Sequence, residues 1–534
     1  MRLIAERPAT VAAGNVGVQR DAIIAGALAA LTVITRFPFR SHRAFNWDAV
    51  NFVLALHDYD VRLHHPQPPG YPVFAAMGRV VQLVIPNPNT ALVIVAMLLS
   101  AGAVAALYLL GRTVFGQMAG IIAALYLLCS VTFWTNGAVA LAYPSLALFT
   151  TLMALLAWRC HQRGRNVSVW LPLALSVAYA VGGGFRPDLL LFLLPLWIFG
   201  HWQLPFRTML LSGICVIAIV LAWFVPTIAL SGGWSGYWAV FRAYTSDDVL
   251  KRYSVAENGP RALLVNLRDT VKYTGYALYA LAVPVAGAAV WLLTQWQRLK
   301  KGGPTAVHPY ISLFLLWMMP VLLFYTWVHI GDPGYVFTFV PALLLIAARF
   351  TVELPRIVKR LHLDWLRRFI VPALTIVVIA ANAGIFLFRP LTLTAHGIRQ
   401  QDRTIDGKIA YVRAHGAPAT TLLIAYESYR HWLLYLPEYH VRFVDLTYGT
   451  AANRTVDIPP GVTDIILMDA TLLRAIGNTP LADTTAIEND RVAVVRTQGG
   501  SRIQFGTIAS PLAEEPHPRP LSFAVRQRRG VTRS

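Results

Sequence analysis

Long runs of apolar residues dominate the first 390 positions of the chain. A helix needs about 20 apolar residues to cross a bilayer, and such runs predict eleven membrane spans. They cover residues 22–38, 89–111, 118–135, 139–158, 170–184, 188–201, 209–231, 274–295, 310–330, 335–350 and 369–388. Gly182-Gly183-Gly184 and Pro187 interrupt the run from 170 to 201, so two short helices or one kinked helix both fit it.

The pattern changes at about residue 395, where short segments of alternating polar and apolar residues replace the long apolar runs. This alternation predicts strands at 421–425, 440–445, 464–469, 491–497 and 501–505, with helices near 396–414 and 427–436. We therefore expect a small α/β domain over residues 395–510. The Pro- and Arg-rich segment 511–534 is predicted to be a disordered tail.

The composition favours a polytopic, all-α membrane protein ahead of this small domain. Of the 534 residues, 56% are hydrophobic and only 13% are charged, whereas soluble domains carry about 25% charged residues. The net charge is +20, but no basic run alternates with aromatic residues, so a nucleic-acid partner is not expected. The cysteines Cys129, Cys160 and Cys215 lie in or beside apolar spans, which argues against a disulfide framework or a cysteine metal site.

The distribution of basic residues predicts the orientation of the spans. Cytoplasmic loops carry an excess of Lys and Arg, and alternate loops here hold nearly all of those residues, whereas the short loops between them hold only Arg186. We therefore expect a cytoplasmic N-terminus over residues 1–21, a transmembrane module over 22–390 in the cell (inner) membrane, and an extracytoplasmic C-terminal domain. The long loops 39–88 and 232–273 also lie outside in this topology. No small-residue cleavage site follows the first span, which is read as a retained helix.

The first long loop concentrates polar groups beside the apolar scaffold. Apolar spacing over 45–56 and 71–85 predicts two amphipathic helices along the membrane, with Asn46 as the N-cap of the first. Asp48 follows this cap. A half-buried carboxylate at this position suits a general base that takes a proton from an acceptor hydroxyl or amine, or an acid favoured by the helix dipole.

The rest of that loop offers further candidates with open alternatives. Asp58 and Asp60 would either pair with Arg62 or help to position an acceptor or a divalent ion. His64 and His65 would bind phosphate, a metal or an acceptor, or else pack structurally. The segment from Pro66 to Tyr71 is stiffened by its prolines, and Tyr71 is an accessory candidate.

Three other segments carry candidate residues. Arg186 would hold a lipid phosphate through a forked contact or pair with Asp188. The turn 329–335, with His329, Asp332 and Tyr335, is either an ordinary hairpin connection or a donor-binding loop. Arg242, Lys251 and Arg252 are candidates for donor phosphate contact or belong to a solvated face. P-loop, G-x-S-x-G and H-E-x-x-H motifs are absent from the sequence, which disfavours ATP-driven transport and zinc proteolysis.

Two of these segments carry a family resemblance. Trp47-Asp48 after the first span, followed by His65-Pro66-Gln67-Pro68-Pro69-Gly70-Tyr71-Pro72, resembles membrane glycosyltransferases of the GT-C superfamily, and among them the protein O-mannosyltransferase and aminoarabinose-transferase-like group. Segments 184–188 and 334–341 are also similar, and the likeness covers roughly residues 20–390. Gln67 interrupts the His-Pro-Pro-Gly-Tyr-Pro-like motif of bacterial members.

The resemblance implies an inverting transfer of sugar from a polyprenyl-phosphate donor on the outer face of the membrane. The catalytic acid of the family maps onto Asp48. Many relatives have a second acid next to it, whereas Ala49 stands there in this chain. Asp58 or Asp60 would replace that acid, or it is not needed, so the requirement for a divalent cation stays open.

Other functions remain as alternatives to the transferase. A lipid or polysaccharide transporter or flippase would show internal repeats and broken or charged helices near the bilayer midplane, and no repeat is visible in the sequence. In a non-enzymatic assembly or sensor protein, the C-terminal domain would be the working part, with Glu427, Tyr429, Arg430 and His431 as possible acceptor contacts. We favour a lid or support role for that domain. The sugar, the acceptor (protein, lipid or glycan) and the oligomeric state are not fixed by the sequence.

Overall fold

The computed structural model describes residues 15–301, 309–360, 362–446, 452–477, 479–496 and 500–507. The chain divides into two compact units, Met1–Arg399 and Gln400–Ser534. The predicted tail 511–534 and most of the predicted cytoplasmic N-terminus, including Arg2 and Arg7, lie outside the described residues.

The first unit is built from helices. In chain order, α1 to α17 are Asn15–Arg36, Trp47–His57, Pro72–Gln82, Pro88–Phe115, Gln117–Leu128, Val131–Asn136, Pro144–Arg163, Trp170–Phe185, Leu189–His201, Phe206–Leu230, Gly233–Ala243, Lys251–Tyr253, Val255–Leu278, Ala282–Lys301, Pro309–Trp327, Val340–Arg360 and Ile370–Phe388. A π-helix, Tyr244–Leu250, joins α11 to α12.

Membrane-spanning helices account for much of this unit. Within the described residues, six helical segments are long and apolar enough to cross a bilayer: Gly17–Phe39, Pro88–Phe115, Phe206–Leu230, Val255–Thr294, Tyr310–Trp327 and Ile370–Phe388. Three shorter apolar helices are Gln117–Leu128, Trp170–Phe185 and Leu189–His201. The expected fold class, a multi-pass helical membrane protein, is confirmed, whereas the number of eleven spans stays a prediction.

Helix α10 shows the packing that a lipid-facing helix requires. Its buried residues are the polar Ser212 and Thr227, while Ile214, Ile217 and Leu221 are exposed. In water such an apolar face would mark a binding surface or an aggregation risk. In a bilayer this face contacts lipid tails, which are as apolar as the side chains themselves, so no protein partner is needed.

The predicted span 118–135 is not one continuous helix. Helix α5 ends at Leu128 and α6 begins at Val131. Two buried side chains bind the carbonyl groups at this break: Arg36 Nη2 donates to the Leu128 oxygen over 2.6 Å, and Asn382 Nδ2 donates to the Cys129 oxygen over 3.2 Å. Non-helical backbone at such a position is tolerated because its polar groups have protein partners.

The break changes the start of the next predicted span, 139–158, as well. Helix α7 begins only at Pro144, and the non-helical segment before it ends with the buried Tyr143. Proline suits the first turn of a helix because the missing N–H would have no intrahelical acceptor there. Tyr143 therefore lies at the N-terminal end of α7 and not inside a span.

Helices α2 and α3 match the two helices predicted in the first long loop. The Asn46 side chain accepts a hydrogen bond from the Ala49 N–H over 3.0 Å, so the predicted N-cap is confirmed. Helix α2 is buried on most sides, which differs from the expectation of a helix lying along the membrane. Arg79 of α3 donates to the carbonyl oxygens of Ala55 and Leu56 over 3.0 and 3.1 Å, which anchors the C-terminal end of α2.

The second unit is an α/β domain, described here by itself. Its helices are α18, Ala395–His415, which begins in the first unit, α19, Tyr429–Tyr435, and α20, Ala470–Ala475. Its strands β1 to β7 are Thr421–Ala425, His440–Phe443, Thr455–Asp457, Asp464–Leu467, Asp483–Ile487, Asp490–Arg496 and Arg502–Gln504. All five predicted strands are present, while β3 and β5 were not predicted.

The larger sheet has the strand order β2-β1-β4-β6-β5. Strands β2 and β4 run parallel to β1, and β6 pairs antiparallel with β4 and with β5. Both faces of β1 are buried: Leu422 and Ile424 pack into one apolar cluster, and Leu423 and Ala425 into another. This explains why the segment reads as a continuous apolar run, as expected for a central parallel strand.

Candidate active site

A cavity of about 270 Å³ in the first unit brings together four segments that are distant in the sequence. They are the start of α2, the residue before α7, the π-helix region after α11, and the turn between α15 and α16. The lining residues are Asp48, Tyr143, Tyr244, Val249, Arg252, Tyr253, His329, Gly331, Asp332 and Tyr335. Polar and aromatic side chains dominate this set, which is typical of a site for a polar ligand.

Asp48 reaches the cavity from the first turn of α2 and is half-buried. The Tyr143 hydroxyl donates to Asp48 Oδ2 over 3.4 Å, which is a long hydrogen bond. Burial raises the pKa of Asp48 above its ordinary value, although the Tyr143 hydroxyl and the charge of Arg186 oppose the increase. A carboxylate with a raised pKa is a stronger base, provided that it is ionised at the working pH.

Asp332 is the second carboxylate in the cavity. It caps a short 3-10 helix, Pro333–Thr338, and Oδ1 accepts a hydrogen bond from the Gly334 N–H over 2.8 Å. Burial raises the pKa of Asp332 to about 6, and the charge of Asp48 adds to the increase. The Asp48 and Asp332 carboxyl groups therefore influence each other's ionisation, as expected for two acids that share a site.

The turn that carries Asp332 is fixed by its neighbours. The Tyr325 hydroxyl donates to the Tyr335 carbonyl oxygen over 3.1 Å, and Trp317 Nε1 donates to the Thr338 carbonyl oxygen over 2.8 Å. Gly334 packs against Tyr143 so closely that a Cβ atom at this position would lie 2.3 Å from Tyr143 Cγ. Only glycine fits there without movement of the turn or of the tyrosine.

Arg186 lies directly behind the cavity, at the C-terminal end of α8, and is 6% exposed. Its Nε donates to both carboxylate oxygens of Asp188 over 3.0 and 2.9 Å, so the predicted pair is present. Its guanidinium carbon lies 3.8 Å from the centre of the Tyr335 ring. Nη1 is buried and has no hydrogen-bond partner among the described residues, which leaves one donor group for an anion.

His329 lies between two aromatic rings. Its ring centre is 4.4 Å from that of Tyr253 and 6.2 Å from that of Tyr335, and Nδ1 is buried without a partner in the described structure. Burial and the charge of Arg186 lower the pKa of His329 to about 4. The imidazole is therefore neutral at pH 7 and acts as a hydrogen-bonding group and not as a cation.

The loop after α10 supplies one wall of the cavity. Tyr244 and Val249 lie on the π-helix, and Arg252 and Tyr253 lie on the short helix α12. π-Helices are rare and often occur at functional sites. Of the basic residues predicted in this loop, Arg252 lines the cavity. Arg242 instead lies 5.9 Å from the Trp238 ring centre, and Lys251 pairs with Asp247.

The acids and histidines predicted after α2 do not line the cavity. Asp60 forms a two-pronged ion pair with Arg62, with contacts of 2.7 to 3.1 Å, and its backbone pairs with that of His65. His64 adopts a left-handed conformation with φ of 59°, and Asp58 is exposed. Tyr71 is buried, and its ring packs edge-on against Phe52, with ring centres 5.0 Å apart.

The proline-rich motif joins the two long loops. The Tyr237 hydroxyl donates to the Pro69 carbonyl oxygen over 2.9 Å, and the Val61 N–H donates to Ser231 Oγ over 3.2 Å. The motif therefore supports the loop that carries Tyr244 and Arg252. From its sequence position near Asp48, the motif was expected to line the pocket itself, but none of its residues is among the lining residues.

Tyr143, Tyr244, Val249 and Tyr253 line the cavity although the sequence analysis did not select them as site residues. The apolar pattern placed Tyr143 inside a predicted span. The available signal was Pro144, because proline favours the first turn of a helix. In the described residues, no group of three or more His, Cys, Asp or Glu side chains is arranged to hold a metal ion. The requirement for a divalent cation, which the sequence left open, stays open.

Comparison with known protein families gives a match over part of the first unit. Residues 64–229 match the family model of dolichyl-phosphate-mannose-protein mannosyltransferase. This segment contains the proline-rich motif and Arg186 but neither Asp48 nor Asp332. No curated protein matches the chain at a significant level.

Solved structures share the fold over most of the chain. ArnT from Cupriavidus metallidurans in the apo state has a TM-score of 0.55 and 13% identity, covering 89% of this chain and 98% of that chain. ArnT bound to undecaprenyl phosphate has a TM-score of 0.55 and 12% identity, covering 91% and 100%. The family match over residues 64–229 supports the predicted resemblance to GT-C glycosyltransferases, and the ArnT structures share the fold of this chain.

Proposed function

We propose that this chain moves a sugar from a polyprenyl-phosphate donor to an acceptor hydroxyl or amine, with inversion, and with Asp48 as general base. The observation that carries the proposal is the cavity in which Asp48 meets Asp332, His329 and Arg252, with Arg186 behind it. The structure of ArnT with undecaprenyl phosphate, which has the same fold, motivates the choice of a lipid-linked donor.

The reaction needs a base on the side of the anomeric carbon where the acceptor attacks. It also needs a cationic group on the other side, where the phosphate leaves. The acceptor attacks the anomeric carbon as its proton passes to Asp48, and the bond from that carbon to the lipid phosphate breaks. Negative charge then grows on the phosphate, and preorganised donors aimed at that charge are the main source of rate enhancement. Arg186, through its unpartnered Nη1, and Arg252 are the groups that we assign to this task.

The neutral side chains complete the assignment. His329 is uncharged at pH 7 and suits a hydrogen bond to a sugar hydroxyl. The Tyr244 and Tyr253 rings offer flat apolar faces of the kind that sugar rings pack against. The donor already carries its phosphate leaving group, so a nucleotide site is not required, in agreement with the absence of a P-loop motif.

We also propose the topology that the basic loops predict, with the N-terminus in the cytoplasm and the cavity on the extracytoplasmic face of the cell (inner) membrane. Membrane lipids surround the first unit, and the acceptor is a lipid, a glycan or a protein. The C-terminal unit is proposed to act as a lid or support for the membrane site.

Reconstitution tests the assignment of the base. The purified protein and its Asp48→Asn and Asp58→Asn variants are placed in liposomes with polyprenyl-phosphate sugars, and sugar transfer is measured. We expect Asp48→Asn to abolish transfer and Asp58→Asn, an exposed position outside the cavity, to retain it within about twofold. Undiminished transfer by Asp48→Asn would refute the base assignment, and lipid movement without transfer by the wild type would favour a transporter.

A further inference from the structure

A second and larger concavity lies between the C-terminal end of α16 and the start of α17. This groove has a volume of about 650 Å³ and is lined by Pro355, Asp364, Trp365, Arg367, Arg368 and Phe369. Helix α16 starts immediately after the turn that lines the active site, and its 21 residues span about 30 Å at 1.5 Å per residue. The groove and the turn that lines the active site therefore lie at opposite ends of α16.

The side chains of the groove are of two kinds. Trp365 and Phe369 are 71% and 54% exposed, although both have large apolar rings. They lie next to α17, Ile370–Phe388, a segment long and apolar enough to cross the membrane. Exposed aromatic residues at the end of a spanning helix typically lie at the level of the lipid headgroups.

The charged residues of the groove favour an anion. Arg367 and Arg368 are exposed, and neither forms an ion pair with a carboxylate in the described part of the chain. The Arg368 guanidinium lies 4.9 Å from the centre of the Phe369 ring, which keeps it beside the aromatic surface. Asp364 is the one acid in the lining, so two cations face one carboxylate.

The neighbouring residues add to the positive potential. Lys359 and Arg360, at the end of α16, are exposed. Glu353, the acid nearest to them on the helix, is already bound by Arg349 and by Arg356. The field at the mouth of the groove is therefore positive, which attracts anionic lipids at a membrane surface.

We propose that this groove binds the phosphate-bearing headgroup of an anionic glycerophospholipid. Arg367 and Arg368 bind the phosphate, since guanidinium groups form forked hydrogen bonds to phosphate oxygens. Trp365 and Phe369 contact the glycerol and the first acyl carbons. Asp364 limits the fit to headgroups that place one phosphate at the arginines. The site is separate from the transfer site and does not depend on the proposed sugar chemistry.

Titration with lipids tests this site. The full-length protein in detergent is titrated with short-chain phosphatidylglycerol, and bound lipid is counted by native mass spectrometry. The double variant Arg367→Gln/Arg368→Gln is compared with the control Lys359→Gln/Arg360→Gln, which removes the same charge next to the groove. We expect a loss of affinity of at least about tenfold in the first variant, since one lost charge-assisted hydrogen bond is already worth that much, and less than about a twofold loss in the control.

Further measurements distinguish binding of a lipid phosphate from binding of free inorganic phosphate. Phosphatidylcholine should bind more weakly than phosphatidylglycerol, and millimolar inorganic phosphate should fail to displace the lipid, because it makes no contact with the aromatic rings. Trp365→Ala should weaken lipid binding without any change in net charge. Equal losses in the two double variants, or displacement by inorganic phosphate alone, would overturn the proposal. Thermal unfolding of each variant shows whether it is folded.

Discussion

The guanidinium carbon of Arg186 lies 3.8 Å from the centre of the Tyr335 ring. The same arginine binds Asp188 through Nε and is almost completely buried. A buried cation needs compensation, and here a carboxylate and an aromatic face provide it. The arrangement fixes one positive charge behind the cavity that contains Asp48 and Asp332.

Replacement of Arg186 by Gln should reduce sugar transfer by about 10²- to 10³-fold, because a preorganised donor to the departing phosphate is lost. Arg186→Lys should also be impaired, since an ammonium group has no planar face to stack on the Tyr335 ring and no second nitrogen to offer the phosphate. The control is Arg242→Gln, an arginine of α11 that does not line the cavity. Equal losses in Arg186→Gln and Arg242→Gln would argue against a specific role for Arg186.

The pH profile of the Arg186→Gln variant gives an independent readout. The charge of Arg186 lowers the pKa of Asp48, so its removal should raise that pKa further. A general base works in the ionised form, and the rate falls as the pH drops through its pKa. The acidic limb of the profile should therefore move to higher pH in Arg186→Gln. An acidic limb at the same pH in both proteins would mean that the charge of Arg186 does not affect the pKa of Asp48.

Asp332→Asn should stabilise the protein at high pH while it impairs transfer. The pKa of Asp332 is raised to about 6 in the folded protein, from about 3.9 in an unfolded chain. The folded state therefore binds this proton more tightly, and stability is lost as the pH rises from about 4 to 6. The Tm of Asp332→Asn should exceed that of the wild type at pH 8 and match it at pH 4.

The exposed acid Asp58 serves as the control for this measurement. Asp58→Asn should show the wild-type Tm at both pH values. An equal gain for Asp332→Asn at pH 4 and at pH 8 would mean that the effect arises from packing and not from ionisation.

Gly334→Ala should disrupt the site through a steric clash. The added methyl group would lie 2.3 Å from Tyr143 Cγ, so the turn that holds Asp332 or the tyrosine itself must shift. A displacement of about 1 Å in an active site can reduce the rate about 100-fold. Gly275→Ala is the matched control, since a Cβ atom there meets no other atom within 4 Å. Transfer assays on both variants test this prediction. A normal rate for Gly334→Ala would contradict it.

Lys408→Met should destabilise the C-terminal unit. Lys408 Nζ is buried and donates to Asp490 Oδ2 and to the Met468 carbonyl oxygen, each over 2.5 Å, and it lies 3.7 Å from Asp469 Oδ1. Loss of one member of a buried ion pair costs about 3–5 kcal/mol, because the remaining charges stay buried.

Hydrogen exchange of peptides that cover β1 and β4 measures this loss. Arg413→Met, which removes an exposed pair with Glu438, should cost about 1 kcal/mol or less. Similar protection in Lys408→Met and the wild type would contradict the assigned role of the lysine.

The class of the protein and the position of most elements follow from local patterns in the sequence. Apolar runs of about 20 residues have few alternatives to membrane helices, so the helical module could be predicted. Short alternating or apolar segments predicted the strands β1, β2, β4, β6 and β7. The N-cap Asn46 could also be predicted, because its side chain binds the N–H of Ala49, only three residues further along the chain.

Packing between distant segments sets which residues share the cavity. Asp48 and Asp332 are 284 positions apart, and neither periodicity nor spacing links them. Asp58 and Asp60 are much nearer to Asp48 in sequence, but helix α2 and the ion pair with Arg62 direct them elsewhere. Tyr143 reached the site because α7 starts late, after a break whose carbonyl groups are bound by side chains from α1 and α17. These contacts between distant segments depend on packing, which a local pattern does not encode.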